Sequence, residues 1–254
     1  MKIRNTTIGT ITLCCALLAI WQAFPASGQE VTIKQNSLIG RVGETQIEIL
    51  CPDSTRLLID ITAPEYLTQP VTDKDILLTT HLHNDHFNEE FSDTFLGKQL
   101  RMERGAIILP SVRIKSIPGS HSNKWPTEQS ADNFILIIDA GALRIVHLAD
   151  IEQKSLMPEQ LVELRNIDVI IASLYYPNII GIVDQLRPKI VIPTHMWGSP
   201  IMKSLIRQWP AYRINNIDLR LRKETLPSET TLFLIGDWGD RIGNMYKVPE
   251  WTEN

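Results

Sequence analysis

The sequence predicts an α+β fold in which two β-sheets pack face to face and helices cover their outer surfaces. Short apolar segments separated by glycine and proline turns dominate the first half of the chain, as is typical of antiparallel strands. In the second half, segments with helical periodicity alternate with apolar strand patterns. A run of strands followed by interleaved helices and strands favours packed sheets with helices outside.

Three β-rich segments, VTIKQ, TQIEIL and RLLIDI, lie between residues 31 and 62. Because turn signals separate them, we expect antiparallel neighbours; the signals are Gly40, Gly43 and the Pro52-Asp53 pair. ILLTT at residues 76–80 predicts a further strand. Residues 88–100 then indicate a helix with Asn88 as its cap and one apolar face, formed by Phe91, Phe95 and Leu96.

The middle of the chain predicts more antiparallel structure. Strands are expected at residues 106–109 and 111–117, followed by a polar loop that contains His121. FILIID and LRIVHLAD, on either side of Gly141, indicate a hairpin that ends at Asp150.

Helices and strands alternate from residue 157 onward. Helices are predicted for MPEQLVELRN, for NIIGIVDQL and for a last segment that begins near Ser199-Pro200, with apolar residues at i, i+3, i+4 and i+7 in the latter two. Strands are predicted for DVIIASL, KIVIPTH, IDLRLR and TTLFLIG, before a polar tail.

Composition places the chain among ordinary globular proteins, with 254 residues, 43% hydrophobic and 21% charged. The formal net charge is −4. Lys2 and Arg4 are the only charged residues of the first 28, so the remainder carries 23 basic and 29 acidic residues, a net charge of −6. This balance disfavours nucleic acid as a partner.

The first 28 residues indicate a secretory signal peptide. Two cations precede an apolar run from about Ile8 to Phe24, and small residues follow at Ala26, Ser27 and Gly28. We therefore expect an exported, periplasmic or extracellular domain of residues 29–254 with no membrane contact after cleavage. An uncleaved membrane anchor is the alternative, because the run approaches the length of a short span. Cys51 would be the sole cysteine left, which excludes an internal disulfide.

Four metal-type side chains occupy six residues directly after the predicted strand at 76–80. They are His81, His83, Asp85 and His86. His81 and His83 are two apart, so on an extended chain both imidazoles face one side and can bind one ion. A turn at Asp85 and His86 would bring a second ion beside the first. Imidazole and carboxylate donors favour zinc, with manganese or iron possible.

Further donors follow other predicted strands, at His121, Asp150 and His195. Five histidines and two aspartates could hold two ions with Asp150 between them. Such a pair lowers the pKa of a shared water from near 15.7 to about neutral, which supplies hydroxide for hydrolysis of a carbonyl or phosphoryl centre. The prediction is a metal-dependent hydrolase acting on a small-molecule ester, lactone or phosphodiester.

The motif HLHNDH resembles the HxHxDH signature of the metallo-β-lactamase superfamily. His121 in IPGSHS, Asp150 in HLAD and His195 in IPTH follow in the order found there, and the resemblance covers roughly residues 31–236. It implies the four-layer αβ/βα sandwich and a hydrolase with a dinuclear site. By the same resemblance, His81, His83 and His121 would bind the first metal, Asp85, His86 and His195 the second, and Asp150 would bridge.

Within that superfamily, the intervals resemble the compact branch of ascorbate-6-phosphate lactonase. They are 35 residues from His86 to His121, 29 to Asp150 and 45 to His195. The true β-lactamases generally lack such a bridging aspartate, but export suits them, so β-lactam hydrolysis remains an alternative. A non-catalytic metal-binding scaffold and an iron-based redox role are two others. One departure is Ala149, where glycine commonly precedes the bridging aspartate.

Residues around the ligands are candidates for supporting roles and for substrate contacts. His147 is expected to be a buried, hydrogen-bonded histidine on the other face of its strand, and Asp60 is a candidate partner that fixes a ligand histidine. Substrate contacts are expected in the diverging loops. The candidates are Lys124, Trp125, Tyr175, Tyr176 and Trp197.

Overall fold

The computed structural model describes residues 29–35, 45–127, 129–195, 201–214 and 216–252, apart from the side chains of 237–239. The signal-peptide prediction, Trp197 and the Ser199-Pro200 helix start lie outside these residues. Within them the predicted α+β sandwich is confirmed, with two mixed sheets and helices on their outer faces. No helix in the described ranges has the length and hydrophobicity required to span a membrane.

The first sheet has six strands. Five come from the first part of the chain and one from near its end: β1 (Val31–Gln35), β2 (Ile47–Leu50), β3 (Arg56–Ile59), β4 (Ile76–Thr79), β5 (Lys98–Arg101) and β13 (Asp218–Leu221). Their order is β13-β1-β2-β3-β4-β5. β1, β2 and β3 are antiparallel neighbours as predicted, whereas β3, β4 and β5 run parallel.

The second sheet has eight strands. They are β6 (Gly105–Ile108), β7 (Val112–Gly119), β8 (Asn133–Ala140), β9 (Leu143–Ala149), β10 (Val169–Ser173), β11 (Ile190–Thr194), β12 (Ala211–Arg213) and β14 (Thr231–Leu234). Their order is β12-β14-β11-β10-β9-β8-β7-β6. β6 to β9 form antiparallel pairs, and β9, β10 and β11 run parallel.

Alternation along the strands assigns each sheet two apolar faces. In β3, Leu57 and Ile59 belong to the core between the sheets, while Leu58 belongs to the cluster on the outer side with Phe91 of α1 (Glu89–Thr94). In β10, Ile171 faces the first sheet and Ile170 joins the outer helical layer. That layer contains α2 (Pro158–Glu163), α3 (Asn178–Leu186), α4 (Met202–Gln208) and α5 (Gly236–Tyr246). The four predicted layers are therefore present.

The helix predicted for residues 88–100 is only partly right. Asn88 caps α1 as predicted, because its side-chain oxygen accepts a hydrogen bond from the Phe91 N–H at 3.0 Å. The helix ends at Thr94, and residues 98–101 form β5. Gly97 explains the change, since a Cβ there would lie 2.2 Å from the Asp75 carbonyl oxygen. The chain must pass close to that backbone, and it joins the first sheet.

The prediction of a polar tail after the last strand is wrong. Residues 236–246 form α5, which packs on the second sheet through the buried Ile242. The segment GDWGDRIGNMY carries three glycines, whose low helix propensity hides the helix in the sequence. The short strand β12 was also not predicted.

Candidate metal centre

The seven predicted ligand residues all lie in segments that follow strands, at one edge of the two sheets. His81 comes two residues after β4, and a turn closed by the His86 N–H on the His83 carbonyl (2.9 Å) returns Asp85 and His86 to the same place. The other three follow β7, β9 and β11 and are His121, Asp150 and His195. Because β9 and β11 both run parallel to β10, their carboxyl ends meet at this edge.

Backbone hydrogen bonds join these segments to one another. The Phe134 N–H of β8 donates to the Thr80 carbonyl at 2.9 Å, which links the second sheet to the residue before His81. The Glu152 N–H donates to the Ser120 carbonyl at 2.9 Å, which links the loop after Asp150 to the loop that contains His121. The site is thus built on positions fixed by both sheets.

One group of donors is formed by His81, His83 and His121. The ring centroids of His81 and His83 are 4.7 Å apart, those of His83 and His121 4.9 Å, and those of His81 and His121 5.3 Å. One nitrogen from each ring lies within 4.8 Å of the other two. This spacing suits three ligands of one ion.

A second group is formed by His86, Asp150 and His195. The Nε2 atoms of His86 and His195 are 2.9 Å apart. His86 Nε2 lies 3.5 Å from Asp150 Oδ1, and His195 Nε2 lies 3.2 Å from Asp150 Oδ2. The Oδ2 atom of Asp85 is 3.4 Å from His195 Nε2. Asp150 Oδ2 also lies 3.5 Å from His121 Nε2 in the first group. Asp150 therefore contacts histidines of both groups.

Asp60 is buried beneath the cluster and holds His86. Its Oδ1 accepts from the Thr80 N–H (2.8 Å), and its Oδ2 accepts from the Thr80 hydroxyl (2.7 Å) and lies 2.8 Å from His86 Nδ1. The predicted contact between Asp60 and a candidate ligand histidine is therefore confirmed, and the histidine is His86. With the Nδ1 proton held by Asp60, Nε2 is the atom through which His86 would bind a cation, in place of the proton that it shares with Asp150 in the metal-free cluster.

Electrostatics in the cluster follow from burial and these contacts. Burial alone would raise the pKa of the Asp150 carboxyl, but hydrogen bonds from His121, His195 and His86 outweigh it and hold the pKa well below the usual range. Burial likewise opposes the charged form of His86, yet the Asp60 and Asp150 carboxylates raise its pKa to about 10. Burial and the charge on His86 lower the pKa of His81 to about 3.

The residues present fit divalent metal ions. The buried Nε2 of His81 has no hydrogen-bond partner among the described residues, although such an atom normally requires one. Its Nδ1 contacts the Thr80 hydroxyl at 3.1 Å, so Nε2 is the atom left to bind a cation. Imidazole nitrogens and carboxylate oxygens are the donors of zinc and related ions.

Three residues at the strand ends adopt left-handed backbone conformations. Asp60, Ala149 and His195 have φ values of 51°, 52° and 49°. This region costs an L-residue other than glycine of the order of 1–2 kcal/mol, least for Asp. The conformation at residue 149 gives a physical reason why glycine is favoured before the aspartate, and here alanine adopts it without displacing Asp150 from the cluster.

His147 is fully buried and belongs to the protein interior. Its Nδ1 accepts a hydrogen bond from the Ala149 N–H at 3.0 Å, and burial lowers its pKa to about 4. The prediction of a buried, hydrogen-bonded histidine is confirmed.

A cavity of about 300 Å³ opens over the cluster. It is lined by His83, Asp85, His121, Asp150, Tyr175, Tyr176 and His195. The two tyrosines are thus placed as predicted for substrate contacts, whereas Lys124 and Trp125 are not among the described lining residues. A larger cavity of about 500 Å³ beside β13 contains none of the seven residues, so size alone does not mark the site.

Two residues that contact the cluster were not predicted from the sequence. Thr80 connects Asp60 to His81 through its hydroxyl, and its place directly before His81 is the signal that could have indicated it. Glu152 lies with its Oε2 3.7 Å from His121 Nδ1 and follows Asp150 by two residues. Both supply acceptors next to histidines of the site.

Comparison with known families decides the relationship. Residues 46–195 match the model of the β-lactamase superfamily domain. The chain belongs to the β-lactamase superfamily. The matched segment covers more than half of the 254 residues and contains all seven residues of the cluster. A comparison of the chain with curated proteins gave no match.

Solved structures with the same fold carry different activities. A Thermotoga maritima protein assigned as a Zn-dependent hydrolase of the metallo-β-lactamase superfamily is 16% identical, with a TM-score of 0.52 over 80% of this chain and 98% of its own. A diphosphatase of the PhnP family is also 16% identical, with a TM-score of 0.51 over 80% and 94%. A mutant of the β-hydroxylase CmlA is 12% identical, with a TM-score of 0.50 over 78% and 54%. At these identities the likeness shows the shared fold alone.

Proposed function

We propose that this β-lactamase superfamily protein is a metal-dependent hydrolase that binds two divalent cations, Zn²⁺ first, and cleaves a small ester, lactone or phosphodiester. The observation that carries the proposal is the position of Asp150, whose carboxylate contacts histidines of both donor groups. A carboxylate in that place can hold two ions side by side, which is the arrangement that supports two-metal hydrolysis.

His81, His83 and His121 would bind the first ion, and Asp85, His86 and His195 the second. When bound, the ions would supply hydroxide at neutral pH and polarise the bond to be cleaved. Asp60 keeps one proton of His86 on Nδ1, so that Nε2 is the nitrogen that would exchange its proton for a cation. Asp150 would hold the two groups of histidines at a fixed distance from each other, because its carboxylate contacts both.

Asp85 is the acid of the cluster that is most open to substrate. Its side chain is half exposed and lines the cavity, and it contacts His195 through one oxygen. The Thr45 hydroxyl donates to the Asp85 carbonyl and fixes the turn that carries it. We assign Asp85 the role of orienting the attacking oxygen and accepting its proton, beside its role as ligand.

The spacing between the ligand residues supports a place in the compact branch that resembles ascorbate-6-phosphate lactonase. In the described structure the longest of these intervals, from Asp150 to His195, contains α2, β10, α3 and β11. We further propose that the enzyme acts after export, on the strength of the apolar N-terminal run and its small-residue end.

Alanine replacement of Asp85 and His195 tests the function. With Zn²⁺ and Mn²⁺ supplied separately, purified protein would be screened against lactones, aryl esters, bis(p-nitrophenyl) phosphate, thioesters and a chromogenic β-lactam. We expect Asp85→Ala and His195→Ala each to lower turnover at least about 100-fold with the circular dichroism spectrum kept. Asp93→Ala, an exposed change on α1, is the matched control. Full turnover in either site variant would refute the assignment.

A further inference from the structure

An aromatic pair forms one side of the cavity over the cluster. Tyr175 and Tyr176 follow β10, with ring centroids 5.2 Å apart in an edge-on arrangement. The Tyr176 ring packs against His121, with centroids 5.8 Å apart. Both tyrosines line the cavity together with the candidate ligands. Any molecule that reaches the cluster through this cavity meets their rings.

The segment that carries the pair is held on both sides by the strands of the site. The Leu174 N–H donates to the carbonyl of Thr194, the residue before His195, at 3.3 Å. On the other side, the Asn178 amide donates to the carbonyls of Ile151 and Gln153, at 3.2 and 2.8 Å, directly after Asp150. The backbone that carries the two rings is therefore held relative to Asp150 and His195, as a recognition surface requires.

The charges on the described lining of the cavity disfavour an anionic substrate. Among the described lining residues, none is lysine or arginine, and the acids Asp85 and Asp150 are present. Multiply charged phosphate groups are usually bound by arginine or lysine in addition to metal ions.

Exposed apolar side chains sit beside the ligand residues. Leu82, between His81 and His83, is 48% exposed, and Tyr175 is 57% exposed. Trp125, four residues after His121, is 62% exposed. Of these three, Tyr175 also lines the cavity, so its exposed ring is available to an apolar group bound there.

We infer that Tyr175 and Tyr176 form the wall that binds the apolar part of the substrate, and that the substrate is an uncharged ester or lactone with an alkyl or aryl group. This inference rests on the proposed hydrolase function for its chemistry. It narrows the three proposed substrate classes to esters and lactones, because a phosphodiester is an anion and the described lining of the cavity offers aromatic rings and carboxylates but no lysine or arginine.

Tyr175→Ala in the metal-loaded protein tests the wall, with p-nitrophenyl acetate and p-nitrophenyl octanoate as substrates. We expect an increase of about tenfold in KM for the octanoate with kcat within about twofold, and a smaller change for the acetate. Tyr175→Phe keeps the ring, so its KM for the octanoate should stay within about twofold of the wild-type value. Leu96→Ala, 84% exposed after α1, is the control for loss of a surface apolar group. Metal content is measured in each variant and should be unchanged.

A binding measurement separates this inference from the hydrolase proposal. Calorimetry with γ-decalactone and metal-free protein reports on the wall without turnover, and Tyr175→Ala should weaken binding about tenfold. Equal binding by wild type and variant, or hydrolysis of bis(p-nitrophenyl) phosphate in preference to both esters, would overturn the inference. If the lactone binds and depends on Tyr175 but no ester is cleaved, the wall stands and the hydrolase proposal fails.

Discussion

Replacing Asp60 by Asn tests whether this buried carboxylate sets the position of the proton on His86. The Thr80 N–H is a fixed donor to Oδ1 of Asp60, so an asparagine must place its carbonyl oxygen there. Its NH₂ group then faces His86 Nδ1 at the former Oδ2 position. Nδ1 must then accept, which keeps the proton on Nε2. A cation at Nε2 would require either an imidazolate or an Nδ1–H that faces the NH₂ group without an acceptor.

The size of the effect follows from the number of partners that change. Asp60→Ala would leave three buried donors without an acceptor, at about 1–3 kcal/mol each, a large fraction of the total stability of a domain. Asparagine avoids most of that loss and alters chiefly the tautomer. Removing such a carboxylate partner of a metal-binding histidine typically lowers metal affinity 10–100-fold, which is about 1.4–2.7 kcal/mol.

Competition with a chromophoric chelator would measure the Zn²⁺ affinity of wild type and Asp60→Asn, with urea unfolding as the check on stability. Asp139→Asn is the matched control. Asp139 lies near the carboxyl end of β8, where it pairs with Arg144, and this variant should keep the full Zn²⁺ affinity. An Asp60→Asn protein that is folded and binds both equivalents of Zn²⁺ as tightly as wild type would refute the reasoning.

Three further changes test the description of the fold. Because burial lowers the pKa of His147 to about 4 from 6.5 when unfolded, its contribution to stability is complete above pH 6.5 and is lost as the pH falls towards 4. His147→Asn, which cannot titrate, should make unfolding of the metal-free protein less dependent on pH by up to about 3 kcal/mol across that window; an unchanged slope would contradict this. Gly97→Ala should lower the free energy of unfolding by about 1–3 kcal/mol, since its Cβ would meet the Asp75 carbonyl, whereas Gly181→Ala on α3 meets nothing within 4 Å and should be neutral or stabilising. Asn88→Ala removes the cap of α1 and should cost about 1 kcal/mol, and a variant as stable as wild type would show that the cap is unimportant.

Much of the fold could be predicted because local patterns and tertiary packing agree. The continuous apolar runs of β3 and β10 match strands that are buried on both faces, and the spacing of Ile179, Ile182 and Val183 matches the buried face of α3. The pattern failed where a tertiary contact decides the backbone. Phe95 continues the apolar spacing of α1, but the close approach of Gly97 to the Asp75 carbonyl directs the chain into β5. In α5, packing of Ile242 stabilises a glycine-rich segment that has little helix propensity of its own.

The candidate ligands and their partner Asp60 could be predicted from residue types at strand ends, whereas the other supporting residues could not. His81, His83, Asp85 and His86 stand out because four donors occupy six residues. Thr80 and Glu152 do not, since one hydroxyl or one carboxylate near a strand end has many ordinary uses. Only the fold shows that the Thr80 hydroxyl lies between Asp60 and His81.

Metal content is the most direct test of the central proposal, that the seven-residue cluster holds two ions bridged by Asp150. Elemental analysis of protein purified without chelators and dialysed against Zn²⁺ should give two equivalents per chain, and Asp150→Ala should retain at most about one. Fewer than about one equivalent in the wild-type protein, or two equivalents kept by Asp150→Ala, would contradict the proposal.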